Sequence, residues 1–338
     1  MGKIRYLLPQ ICVALGASIL PAAAQTDWKV VNTFHIGGDG GWDYVTMDAP
    51  HHRLFVTRST YTIAIDEESG VVLGDIPGQI RSHGVALVPA LGRGFITDGG
   101  GAGAFVVFDL KTYAVLGKIP AIPDADGIIY DEKLNRVLAV SGDGNELLTF
   151  SPDIDPTAGK LDTPIPLDGA PEFLASDGSG KVYINLEDKN VVAVVDLNTR
   201  KVIARWPVAP GGHPVGMAMD PATHRLFVGC RNPQMLVVMN ADTGAVESSL
   251  PIGAGVDATR FDGGLAFASA GDGTLAVASE NDGKWAVVQT VATPKGARTM
   301  GLDPTTHRIY LPTAELEPAA TGRPKPKPGT FMIVEVGH

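Results

Sequence analysis

Short apolar runs opened by a basic residue recur along the chain: Arg53-Leu-Phe-Val, Arg93-Gly-Phe-Ile, Arg136-Val-Leu-Ala, Lys181-Val-Tyr-Ile, Arg225-Leu-Phe-Val and Arg308-Ile-Tyr-Leu, with Leu265-Ala-Phe-Ala in the same phase. Taken in chain order, they stand 40, 43, 45, 44, 40 and 43 residues apart, which makes seven units. Before each run comes an apolar strand that ends in a turn, as in Val45-Thr-Met-Asp48-Ala-Pro50, Gly216-Met-Ala-Met-Asp220-Pro221 and Met300-Gly-Leu-Asp303-Pro304. After it come a third strand and a hairpin to a fourth. Asp66-Glu-Glu-Ser-Gly70, Asp196-Leu-Asn-Thr-Arg200 and Asn240-Ala-Asp-Thr-Gly244 supply turn formers where the last two strands reverse. A period of roughly 40 to 50 residues with several short strands per unit is the pattern of a β-propeller blade. The expected fold is therefore all-β, a seven-bladed propeller with four-stranded blades. The seventh unit holds only three strands, ending in Phe331-Met-Ile-Val-Glu-Val336, and Trp28 to Ile36 matches the missing fourth. An N-terminal strand that completes the last blade would hide an edge open to another chain.

Composition agrees with strands and turns. Gly and Pro, 41 and 25 residues, occupy about one position in five, which excludes a coiled coil. Residues 1–24 read as a secretory leader: Lys3 and Arg5, an apolar stretch from Leu7 to Leu20, then Ala22-Ala-Ala24 before Gln25. That stretch is too short and too broken, by Pro9 and Gly16, for a membrane span of about 20 residues. The expectation is a periplasmic or secreted bacterial protein whose residues 25–338 form one domain, monomeric and not inserted in a membrane after cleavage. With Lys3 and Arg5 removed, the 27 basic residues fall to 25 against 37 acidic ones, a balance that argues against nucleic acid as partner. Cys12 leaves with the leader, so Cys230 has no internal disulfide partner. Following Leu226-Phe-Val228, it reads as a buried structural residue.

Superposing the units by their turn residue gives one position five before it: Asp43, His83, Asp126, Glu172, Val215, Asp257 and Arg298. Six of these seven side chains are ionisable, and the repeat phase places them around one mouth of the central channel. Such an accumulation is costly unless its members are paired, hydrated or ligating. Loops between second and third strands open on the same mouth and carry Arg58, Asp98, Asp143, Asn145, Glu187, Asp188, Arg231, Asn232 and Asp272. His213 stands at the rim, and Trp42, beside Asp43, is placed to stack on a ligand or to pack between blades. The segment 314–329, with four prolines and with Arg323, Lys325 and Lys327, is either a cover over the mouth or a solvated loop. His52, His224 and His307 share a phase just before the anchoring basic residue, so they belong to a turn on the far side. Gly99-Gly-Gly-Ala-Gly103 has no helix behind it and reads as a hairpin, not a phosphate loop.

The phrases Gly40-Gly-Trp-Asp-Tyr44, Gly84-Val-Ala-Leu87, Pro171-Glu-Phe173, Gly255-Val-Asp-Ala258, Gly296-Ala-Arg-Thr-Met300 and Pro328-Gly-Thr-Phe331 resemble the YncE-like, YVTN-repeat family of exported bacterial seven-bladed propellers. Leu54-Phe-Val-Thr57 and Val182-Tyr-Ile-Asn185 stand where that family has its YVTN motif. The resemblance implies the fold over the whole mature chain and little about activity: some relatives are linked to metal stress or surface layers, and related propellers include lactonases and lyases.

Three functions compete for the ring. It is a hydrated channel whose acids pair with Arg298 and neighbouring strands. Alternatively it binds a small polar ligand or a divalent metal: Asp43, His83, Asp126 and Glu172 offer carboxylates and one imidazole suited to calcium, manganese, iron or zinc, with Trp42, His213 and Asp257 contributing to a ligand site. On the same site a metal-dependent hydrolase, lactonase or lyase would use His83 or Glu172 as general base and Arg298 as anion stabiliser. A protein-interaction scaffold is a further alternative.

Overall fold

The computed structural model describes residues 1–2, 27–318 and 324–338; residues 3–24 of the expected leader, with Cys12, and Arg323 lie outside them. The strands form six antiparallel sheets, five of four strands and one of seven. The large sheet is two four-stranded units sharing one strand. Val72–Val88 pairs along its first part with Ser59–Asp66 and along its second with Arg93–Asp98, with the left-handed Gly78 (φ 91°) between the two. Counted this way the structure holds seven four-stranded blades, numbered here from Asp43. One of them is thin: the outer strand of blade 3 is only Ile165–Pro166.

Closure follows the expectation. Lys29–His35 runs antiparallel to Met332–Gly337, from Lys29 opposite Gly337 to His35 opposite Met332, and completes the last blade. Trp28 is buried there, its ring 4.9 Å from Phe267 of blade 6. The basic anchors close the hairpin between first and second strands: Arg53 lies opposite Asp48, Arg136 opposite Asp131 and Arg225 opposite Asp220. The residue before each anchor is left-handed. His52, Asn135, His224 and His307 have φ of 51°, 51°, 53° and 58°, and glycine stands at this place in the other blades. The recurring histidines are therefore turn residues: His52 and His224 are tied to carboxylates of their own blades, Glu67 and Asp242, and His307 to Asp262 of the neighbouring blade.

Seven apolar clusters fill the seams between blades. Four of the seams also carry a polar stitch at the end of a second strand, where Thr57, Thr97, Asn185 and Ser269 recur in phase. Thr57 donates to the His83 carbonyl at 2.8 Å, Thr97 to that of Asp126 at 2.7 Å, and Asn185 to that of Val215 at 2.9 Å. Ser269 donates to the Arg298 carbonyl, and Thr299 of blade 7 to that of Asp43 at 2.7 Å. Buried donors satisfied in this way fix the backbone of the next blade. The backbone they fix is that of the charged ring. Cys230 is buried and burial pushes its thiol up to about 12, the inert residue expected. No helix among the described residues is long and apolar enough to cross a membrane.

Candidate functional site

The ring residues do not all start their strands. Asp43 and Arg298 precede the inner strands Val45–Asp48 and Gly301–Asp303, whereas Asp126, Glu172, Val215 and Asp257 are the second residue of theirs. A cavity of about 710 Å³ opens over the ring. Asp43, His83, Arg231 and Arg298 line it, with Trp42 and the Pro-rich segment at one side through Leu316, Pro324 and Pro326. Leu316 bridges to Pro326 and the backbones of Glu317 and Lys325 are bonded, so the described parts of this segment border the mouth.

One part of the ring is a tight triad. The ligating atoms of Asp43, His83 and Asp126 all lie within 4.8 Å of one another. Nδ1 of His83 is 2.6 Å from Oδ2 of Asp43 and 3.5 Å from Oδ1 of Asp126. Burial opposes a charge on His83, but the two carboxylates win and raise it to about 9, so an imidazolium sits between them at neutral pH. Burial, followed by the neighbouring acids acting against His83, pushes Asp126 up to about 7. Oδ1 of Asp126 and Nε2 of His83 are buried without a hydrogen-bond partner. A buried acceptor left unmet is the exception in folded proteins, and a cation would satisfy it.

The other part is neutralised from within. Arg298 Nε is 2.5 Å from Oδ2 of the buried Asp257, and Arg231 bonds its other oxygen while reaching Glu187 at 3.3 Å. Glu172 is not in the triad. Burial first, then the adjacent Glu187 carboxyl, hold it well above the usual carboxylate range, so it keeps its proton at neutral pH. His213 is exposed, 3.6 Å from Glu187, and faces a separate surface recess by Asn190 and Pro233. Val215 is fully buried. Trp42 packs between blades with Val45, Leu54 and Phe331, and it also lines the mouth, with the Arg298 guanidinium 5.9 Å from its ring.

Several loop acids are structural. Asp98 accepts from the backbone N–H groups of Ile80 and Arg81, Asp188 from Ala170 and Asp272 from Ala254. Each of these contacts pins the lead-in to an inner strand. Arg58 is buried, bonded to the carbonyls of Gly41, Gly37 and Asp39, with its guanidinium 3.6 Å from the Phe331 ring centre. Sequence reasoning missed Arg81 and Lys295, both of which line the mouth. Arg81 stands two before His83, the phase of His213 before Val215, and that shared phase was the available signal; Lys295, three before Arg298, lies outside it.

No family model and no curated protein matches the chain. Among solved structures it is similar to Kuenenia stuttgartiensis hydrazine synthase, with 13% identity and a TM-score of 0.69 over 82% of this chain and 94% of that one. The β-propeller domain of Myceliophteria thermophila Cps50 (Swd1) shares 13% identity and a TM-score of 0.71, covering 92% of this chain and 99% of that one. The WD40 repeats of RRP9 share 9% identity and a TM-score of 0.75, covering 92% and 98%. At such identities the likeness establishes the β-propeller fold and leaves the chemistry to the site.

Proposed function

We propose that this is an exported, YVTN-type propeller that holds a divalent metal ion at Asp43, His83 and Asp126 and a small anionic ligand beside it in the mouth. The observation that carries the reading is the buried Oδ1 of Asp126, which accepts no hydrogen bond and lies 3.5 Å from Nδ1 of His83 in a three-residue cluster. Without a metal, a proton on His83 takes the place of the cation. Two carboxylates and an imidazole suit manganese, iron or zinc better than calcium, which prefers oxygen alone. Bound there, the ion would supply Lewis acidity. Lys295, which makes no ion pair among the described residues, offers positive charge to an anion in the same cavity, whereas Arg81 and Arg298 are already shared with Asp124 and Asp257. His83 holds or releases a proton at Nδ1, and the triad's carboxylates orient its ring.

A second reading, turnover by a hydrolase, lactonase or lyase, is favoured by one feature. Glu172 holds its proton near neutrality and would serve as a general acid. Titration calorimetry of the metal-free protein with Zn²⁺ and Mn²⁺ tests the first reading. Asp126→Asn and His83→Gln should each weaken binding at least tenfold, about 1.4 kcal/mol, while Glu172→Gln changes it little. Wild-type affinity in both triad variants would overturn the metal site.

A further inference from the structure

The channel continues past the ring into a second cavity of about 490 Å³, and the proposed metal site has no part in it. Tyr44 and Phe173, one residue beyond the ring, meet there with centroids 5.0 Å apart. Two residues before the turn position, the inner strands of the other blades present Thr46, Ala86, Ile129, Ala175, Ala218 and Gly301; blade 6 presents Arg260. All of these but Gly301 line the cavity. Mostly small side chains thus surround one long cation, which leaves the guanidinium room and no carboxylate.

Arg260 is unlike the other enclosed arginines. Arg58 satisfies its guanidinium on three carbonyl oxygens, and Arg231 and Arg298 share Asp257. Among the described residues Arg260 makes no ion pair, and its single hydrogen bond goes to the carbonyl of adjacent Thr259 at 2.9 Å. Its charge centre lies 5.5 Å from the Phe173 ring. Burial lowers its pKa, opposed only by Tyr44. A guanidinium carries five N–H donors in a planar fork, so most of its capacity faces the cavity unused. An enclosed charge of this kind is costly unless something pairs with it.

We propose that this part of the channel is an anion site for a small organic monocarboxylate with an apolar body, paired through its carboxylate to Arg260. One fork matches one carboxylate in bidentate geometry. A phosphate dianion would want further donors, and the wall includes Tyr44, Phe173, Met217 and Met219, which suits an aromatic or aliphatic body. The volume falls in the range of small-molecule sites, ~300–1,000 Å³.

The test uses metal-free full-length protein, with benzoate as the probe and benzamide as its neutral isostere, followed by saturation-transfer NMR titration. Benzoate should bind at millimolar concentration or below and benzamide should not. Arg260→Met should weaken benzoate at least tenfold. Ala218→Leu, which fills the ring and keeps the cation, should do the same and covers the case in which Arg260→Met fails to fold. No benzoate binding to the wild type would overturn the site. So would binding that is lost in Arg298→Met but kept in Arg260→Met, which would put the carboxylate in the mouth.

Discussion

Blades 1 to 3 and blades 5 to 7 present the same repeat position to the same mouth, yet they answer the cost of charge in opposite ways. On the first side Asp43 and Asp126 share one imidazole, and an acceptor is left over. On the second side a single buried carboxylate, Asp257, has two guanidinium partners, with Glu187 balancing one of them. A count of ionisable residues around the ring does not tell these halves apart; the partners do. A half that closes its own charges behaves as structure, and a half that leaves one open is suited to a ligand.

The largest expected difference between the halves is in pH dependence. His83 has a folded pKa of about 9 against 6.5, so its contribution is complete below pH 6.5 and lost as pH rises through 9. The drop amounts to roughly 3 kcal/mol at 1.36 kcal/mol per unit. Asp126, raised from 3.8 to about 7, contributes in the same sense at lower pH, because its favoured folded form is the protonated one. Urea denaturation of the metal-free protein should show stability falling across this span, and His83→Asn should flatten the upper part. A wild-type curve flat from pH 6.5 to 9 would mean the imidazolium is not held as described. Metal should reverse the slope, since binding at Nδ1 requires the proton to leave.

Next in size, Arg231→Met should destabilise by about 2 kcal/mol, less than a fully buried pair would because Arg231 is partly exposed. Asp126→Asn should be neutral or stabilising in the same assay, since it relieves like charge. Equal losses in both would erase the distinction between the halves. The smallest effect is expected at the seam where the halves meet. Thr299→Val removes the hydrogen bond to the Asp43 carbonyl, worth about 1 kcal/mol, and should also weaken metal binding by loosening Asp43. Lost stability with unchanged affinity would show that Asp43 needs no such support.

The fold was legible because each blade repeats the same local demands. A left-handed residue precedes the second strand, a basic anchor closes the hairpin, and turn formers end the third strand; each is visible at His52, Arg53 and Asp66 without knowledge of the others. Blade 3 departs where the repeat is weakest, between Phe150 and Ile165. The ring was legible by phase alone, and phase brought Asp43, His83 and Asp126 together. Pairing was not legible. Whether Asp98 is a ligand or a clamp depends on the N–H groups of Ile80 and Arg81, which only the folded backbone turns toward it. Arg58 looked like a mouth residue by loop position and instead packs on Phe331, 273 positions away in the sequence.

The most direct test of the central claim is anomalous diffraction from crystals soaked in Mn²⁺ or Zn²⁺ above neutral pH. The account predicts one ordered peak within bonding distance of Asp43, His83 Nδ1 and Asp126 Oδ1, with none between Glu187, Arg231 and Asp257. A peak at Glu172 and Glu187, or an empty triad in fully soaked crystals, would contradict it.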